Sequence, residues 1–195
     1  MNDKVDYPRR VRCKGTEIEL RLMSTADQAA VVDFASELPV HDVLFLKRDI
    51  RNPKVVAAWL ESIERGTIAS VLALLDGEVV GCNAVVRDAL SWSPHVAEVR
   101  VVVSADMRGS GLGRLLVQEA CALAVSHGAE KIIAHMTPDQ RGALALFEDL
   151  GFRAEALLRD HVRDADSVTH DLAILSLEVS RLGAQFAAFG HREAF

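Results

Sequence analysis

Apolar side chains recur along this chain with two different periods, and the period changes at identifiable turn residues. Over residues 17–23 they alternate, with Ile18, Leu20 and Leu22 on one face, which predicts a strand. Ser24 or Thr25 can cap the helix that follows. Asp27 stands in its first turn, where a carboxylate meets the positive end of the helix dipole, and Pro39 ends it after Leu38. Residues 40–52 mix polar and apolar side chains and read as a loop with a short helix. Pro53 opens a second helix through Val55, Val56, Trp59, Leu60 and Ile63, stopping near Gly66. Residues 67–75 and 78–86 are β-rich runs around Asp76-Gly77, a pair suited to a two-residue hairpin turn.

A Ser/Pro break at 91–94 precedes a strand over 96–103. A helix over 111–127 closes at Gly128, and residues 131–136 form a short buried strand. Pro138 opens another helix that ends before Gly151. Two more strands, 152–161 and 168–177, flank a charged turn at 163–167. Residues 1–16 read as a polar lead-in. In the tail, Leu182, Phe186 and Phe189 stand at i, i+4 and i+7, a docking helix that packs on the body or on a second copy in a homodimer. The order β-α-α-β-β-β-α-β-α-β-β predicts an α/β (α+β) fold with helices on the faces of a mixed sheet. One domain over 1–195 is the simplest organisation, with a core at about 17–179 and a tail at 180–195.

Composition narrows the function classes. Half of the 195 residues are hydrophobic, but aromatics make up only 5%, so the core rests on Val, Leu, Ile and Ala. The net charge of −6 argues against nucleic acid, which requires a basic face, and favours cationic acceptors such as amines. No apolar run reaches the ~18 residues of a membrane span. The polar N-terminus is unlike a signal peptide. Cys13, Cys82 and Cys121 lack metal spacing, the histidines are scattered, and no metal is expected. A reducing cytoplasm suits three unpaired cysteines.

The chemistry concentrates where a strand feeds a glycine loop and then a helix, VRVVVSADM-RGSGLG-RLLVQEACALA. Glycines let backbone N–H groups turn toward a ligand, and the helix presents unpaired amides and the positive end of its dipole. Each such anion contact contributes about 0.3–1 kcal/mol, so several must converge; Arg108 and Arg114 add charge. A Walker A loop is absent. The dinucleotide fingerprint fails too, because Arg114 stands where its third glycine belongs. A plain strand-to-helix turn would account for the glycines alone.

Downstream residues decide between these. Arg108-x-x-Gly111-x-Gly113 resembles the R/Q-x-x-G-x-G/A signature of the GNAT superfamily of N-acetyltransferases. Gln140-Arg-Gly-Ala143-Leu-Ala-Leu-Phe147-Glu-Asp-Leu-Gly151-Phe152 is similar to that family's N-x-x-A-x-x-x-Y-x-x-x-G-F segment. The resemblance covers roughly 17–179 and is densest over 96–152. It implies a mostly antiparallel central sheet flanked by helices, with acetyl-CoA as acyl donor. Backbone groups near Val101 and Val103 would pair with the pantetheine arm. The amides of Arg108, Gly109, Ser110, Gly111, Leu112, Gly113 and Arg114 would cradle the pyrophosphate. The helix carrying Gln140 and Phe147 would flank the thioester. An amine, small molecule or peptide, would attack within one ternary complex, without an acyl-enzyme.

Two positions depart from the family pattern: Gln140 replaces its Asn, and Phe147 replaces the Tyr often used as general acid. The only tyrosine, Tyr7, lies in the lead-in. Deprotonating a lysine-like amine at pH 7 costs roughly 4–5 kcal/mol, whereas a CoA-like thiol leaves as thiolate for about 2 kcal/mol. The base is therefore the larger requirement. Glu98, on the strand before the loop and on the same face as Arg100, is the leading candidate; a structural salt bridge is its competing role. His95, Asp88, His161 and His170 are lesser candidates, and the pairs Asp160-His161 and His170-Asp171 are candidates to line the acceptor pocket. Cys82 and Cys121 read as core. The missing tyrosine keeps open a second class, a non-catalytic acyl-CoA-binding or regulatory module, and a scaffold domain remains a third.

Overall fold

A computed structural model describes residues 6–39, 42–43, 48–164 and 166–180. Its strands are β1 (Arg9–Cys13), β2 (Thr16–Leu22), β3 (Ile68–Ala69), β4 (Val71–Leu75), β5 (Glu78–Val86), β6 (Val96–Val103), β7 (Lys131–Met136), β8 (Arg153–Arg163) and β9 (Thr169–Glu178). Its described helices are α1 (Gln28–Glu37), α2 (Pro53–Glu64), α3 (Leu112–Ser126) and α4 (Arg141–Asp149). All nine strands join one sheet in the order β1-β2-β4-β5-β6-β7-β9-β8, with β3 pairing to β5. Every neighbouring pair is antiparallel except β6 and β7.

The two faces bury different sets. On one, α1 and α2 cover Leu72, Leu74, Cys82 and Val102 with Val31, Phe34, Val56 and Leu60. The i, i+3, i+4 spacing of Val31, Phe34 and Ala35 builds the inner stripe of α1. Asn52 starts α2 by accepting from the Lys54 amide (3.0 Å), just ahead of Pro53. On the other face, α3 lays Val117, Ala120, Cys121 and Ala124 over Val85, Ala97, Val99 and Ile132. Gly81 lets α3 approach closely: a Cβ there would stand 2.9 Å from Leu116 Cδ1. Strand alternation sends Glu98, Arg100 and Val102 to the α1/α2 face and Ala97, Val99 and Val101 to the α3 face.

Several expectations needed correction. The polar lead-in contains β1, an edge strand whose hairpin with β2 turns through Lys14-Gly15, both at positive φ. The run over 67–75 is split at the buried Ser70, so β3 and β4 bond different lengths of β5. The first helix opens as a 3-10 turn, Thr25–Asp27. Pro138 does not open α4. A turn bonded from Gln140 N to Thr137 O intervenes, and the helix begins three residues later at Arg141. The Asp76-Gly77 turn forms as expected, with φ of 52° and 90°. The predicted tail helix lies outside the described residues. Among those described, no helix is long and apolar enough to cross a membrane.

Candidate functional site

The sheet splits at β6. This strand pairs with β5 from Glu98 to Val103, opposite Val86 to Gly81, but with β7 only from Val96 to Glu98, opposite Lys131 to Ile133. Beyond Glu98 the two strands diverge, and β7 continues along β9 alone. The Ser104 amide bonds to Val80 on β5 (2.9 Å), which fixes the alternation along β6. The N–H and C=O groups of Val101 and Val103 therefore point away from β5, into the splay. An extended, peptide-like chain is the natural partner for such an edge. Two buried hydroxyls without a hydrogen-bond partner among the described residues, Ser104 Oγ and Thr137 Oγ1, stand just past the ends of the two diverging strands.

The glycine loop follows directly. Gly109 and Gly111 adopt φ of 68° and 94°, conformations that cost any residue with a Cβ. Local bonds absorb alternate amides: Arg108 N to Ala105 O (3.2 Å), Ser110 N to Met107 O (3.3 Å), and Leu112 N to Ser110 Oγ (3.2 Å). The first helical bond runs from Leu115 N to Gly111 O. The amides of Gly109, Gly111, Gly113 and Arg114 have no such partner among the described residues, so four of the seven anticipated cradle residues keep an amide available as donor. Both arginines are engaged: Arg108 pairs with Asp42, and Arg114 with Asp149 at 3.0 Å. The loop thus offers amide dipoles and two partly neutralised cations, a combination suited to a diphosphate.

Glu98 sits at the apex of the splay. Its Oε1 accepts from Arg100 Nε at 2.9 Å and lies 3.3 Å from His135 Nδ1, which is out of line for a hydrogen bond. Among the described residues, Arg100 holds the carboxylate while it faces an imidazole across the strand gap. His135 was not foreseen from the sequence. Its period-2 position in β7 put it on one face, but only the pairing of Glu98 with Ile133 brings it beside Glu98.

The remaining candidates separate from this apex. Phe147 is buried in the core, edge-on to Phe152 with ring centroids 4.9 Å apart. Gln140 stands at the N-cap position of α4 without a side-chain bond into the helix; its Oε1 turns back to accept from Thr137 N at 3.3 Å. Tyr7 hydrogen-bonds Glu119, which also binds Arg9, at the β1 side of the molecule. Burial first, and then that carboxylate, push the Tyr7 phenol far above its ordinary pKa. Asp88 caps its own loop through Leu90 N (2.9 Å), and His95 is exposed. His170 pairs with Asp164 at 2.7 Å, holding that half-buried carboxyl below its usual range. Asp160, at a positive φ in a β8 bulge, receives Thr169 Oγ1 (2.9 Å), and its amide bonds Asp171 (3.0 Å). These groups stabilise their own hairpin and do not line the cavity beside Glu98. Burial pushes the Cys82 and Cys121 thiols up to about 12, which fits core residues and makes poor nucleophiles.

That cavity, about 190 Å³, lies between α2 and strands β5 and β6. Val55, Ala58 and Trp59 form one wall, Ala84, Val86 and Val102 the other, and Arg48 and Arg100 bring two guanidinium groups. Trp59 is fixed by its Nε1–H donating to Ser70 Oγ at 3.0 Å. The cavity thus opens on the α1/α2 face of β6, the face that carries Glu98 and Arg100.

The model of the acetyltransferase (GNAT) family matches residues 36–152. A mycothiol acetyltransferase from Corynebacterium glutamicum is 40% identical over 86 residues, which is 43% of this chain and 28% of that protein. The chain spans about half the length, or less, of the curated relatives first matched. Among solved structures, an acetyltransferase of the GNAT family from Streptococcus pneumoniae superimposes with TM-score 0.72 at 18% identity, covering 83% of this chain and 99% of that one. The yncA protein of Salmonella typhimurium, solved with its cofactor acetyl-CoA, gives TM-score 0.72 at 20% identity, covering 83% and 94%. These likenesses establish a shared fold.

Proposed function

The chain belongs to the acetyltransferase (GNAT) family, and from that premise we propose that it moves an acetyl group from acetyl-CoA to a primary amine within one ternary complex. The observation that carries this reading is the splay of β6 from β7 directly ahead of the glycine loop. The splay leaves a strand edge for the pantetheine arm at Val101 and Val103. The open amides of Gly109, Gly111, Gly113 and Arg114 lie next along the chain for the pyrophosphate. The orphaned hydroxyls of Ser104 and Thr137 fit a polar arm passing between them.

The chemistry follows from what these residues can do. The neutral amine attacks the thioester carbonyl, a C–N bond forms, the C–S bond breaks, and CoA leaves as thiolate. The amine proton passes to Glu98, directly or through a water, with Arg100 holding the carboxylate in place and His135 beside it. The thiolate leaves without a dedicated acid, since its pKa near ~8.5 makes departure cheap beside amine deprotonation. Phe147 supplies no proton, and its burial against Phe152 makes it a packing residue of α4. A single domain in a reducing cytoplasm suits the one continuous sheet and the three unpaired cysteines.

The same Phe147 favours a second reading, a non-catalytic acyl-CoA-binding module. Release of free CoA from acetyl-CoA across an amine library separates the two. Amine-dependent release supports the enzyme. Tight acetyl-CoA binding with no release from any amine supports the module.

A further inference from the structure

The acidic composition points to a cationic acceptor, but the cavity beside Glu98 has the opposite local sign. Among the described residues its charged lining side chains are Arg48 and Arg100, and no carboxylate stands with them. Arg100 shares its Nε–H with Glu98, so part of its charge is already answered. Arg48, exposed on the segment leading into α2, makes no ion pair or side-chain hydrogen bond among the described residues. The other polar side chains of the lining are already occupied. Asn83 accepts from Val71 N at 2.8 Å and donates to Leu116 O at 3.1 Å, and Ser62 donates to Ala58 O at 2.8 Å. The walls are otherwise apolar, from Ile50, Val55, Trp59, Ile68 and Val86. At about 190 Å³ the cavity is smaller than the ~300–1,000 Å³ of pockets for drug-sized ligands.

Resting on the acetyl-transfer reading above, we propose that the acceptor is a small amine bearing a carboxylate on an apolar body, an amino acid in chemical class, with Arg48 as the residue that binds the carboxylate. A polyamine would bring a second ammonium group toward two guanidinium groups, with no anion among the described lining residues to receive it. A neutral amine would leave Arg48 unanswered. A carboxylate answers it with a charge-assisted, bidentate pair. The apolar body lies against Trp59 and Ile68, and the amine end is left for Glu98 and the thioester. Arg100 has a double part: it holds Glu98 and keeps the inner wall cationic.

The test begins with calorimetric titration of acetyl-CoA, which judges the underlying reading. Free-CoA release is then followed with matched acceptors: leucine, methionine and phenylalanine, their amides and decarboxylated amines, and spermidine. The acids are expected to exceed their matched partners at least tenfold in kcat/KM. Arg48→Gln, an exposed change without a structural partner to lose, is expected to raise KM at least fivefold for the acids and leave the amides unchanged. Equal or better turnover of amides, simple amines or spermidine overturns the assignment. So does an Arg48→Gln effect shared by acids and amides, or a protein that binds acetyl-CoA and turns over none of the acids. Absence of acetyl-CoA binding overturns the acetyl-transfer reading itself.

Discussion

Two glycines separated by a single residue should respond to alanine with opposite signs. Gly111 ends the loop at φ 94° and ψ −7°, and a Cβ there would meet nothing within 4 Å. The cost of Gly111→Ala is therefore conformational and not steric: about 1–2 kcal/mol for a Cβ held in the left-handed region. Gly113 sits in the first turn of α3 at an ordinary helical φ. Its added Cβ would make van der Waals contact with Leu146 Cδ2 at 3.6 Å and Val103 Cγ2 at 3.9 Å. Gly113→Ala should gain about 0.5–1 kcal/mol from helix preference. The two variants should thus differ by about 1.5–3 kcal/mol. In a chain of this length each kcal/mol moves Tm by about 2–4 °C. Urea unfolding, followed by the fluorescence of half-buried Trp59, measures both signs. Wild-type stability in Gly111→Ala, or an equal loss in both variants, would refute the conformational argument.

Other expectations follow from single side chains. Asp27 is buried and accepts from Arg21 at 2.6 and 2.8 Å and from Ser24 N at 2.7 Å, and the Arg21 bond holds its pKa below the ordinary carboxylate value. Its contribution is then full above the unfolded pKa of about 3.9 and lost as pH falls through the lower folded value. Asp27→Asn should cost about 1–3 kcal/mol near neutrality and flatten stability against pH below 4, as read by urea titrations at several pH values. Cys82 and Cys121, with thiols at about 12, should resist iodoacetamide at pH 8 until urea unfolds the chain; rapid native labelling would show the core to be open. Glu98→Gln should remove a limb from the pH–rate profile, and an unchanged profile would exclude Glu98 as base.

The parts legible in the sequence are those whose signal is local. The strand at 96–103, the glycine loop and α3 each carry a period or a turn residue that fixes them within a residue or two. Asp76-Gly77 announced its hairpin, whereas Lys14-Gly15 makes the same kind of turn with a residue that rarely advertises one, and β1 was lost with it. Pro138 misled because a proline suits a turn before a helix as well as the helix's first position. His135 and Arg48 could not be found this way. Their importance comes from strand register and from α2 crossing the sheet, which join residues far apart in the chain. The same distance explains the charge reversal: net charge sums the whole surface, while a cavity is read by the few side chains that line it.

The central claim is that the open amides of the loop from Gly109 to Arg114 hold the pyrophosphate of an acyl-CoA. Calorimetric titration of acetyl-CoA into the wild-type chain and into Gly111→Glu tests it most directly. The account predicts one-to-one binding to the wild type, weakened at least tenfold when a carboxylate is placed in a strained backbone position among those amides. No heat at millimolar acetyl-CoA, or equal affinity in the two proteins, would contradict it.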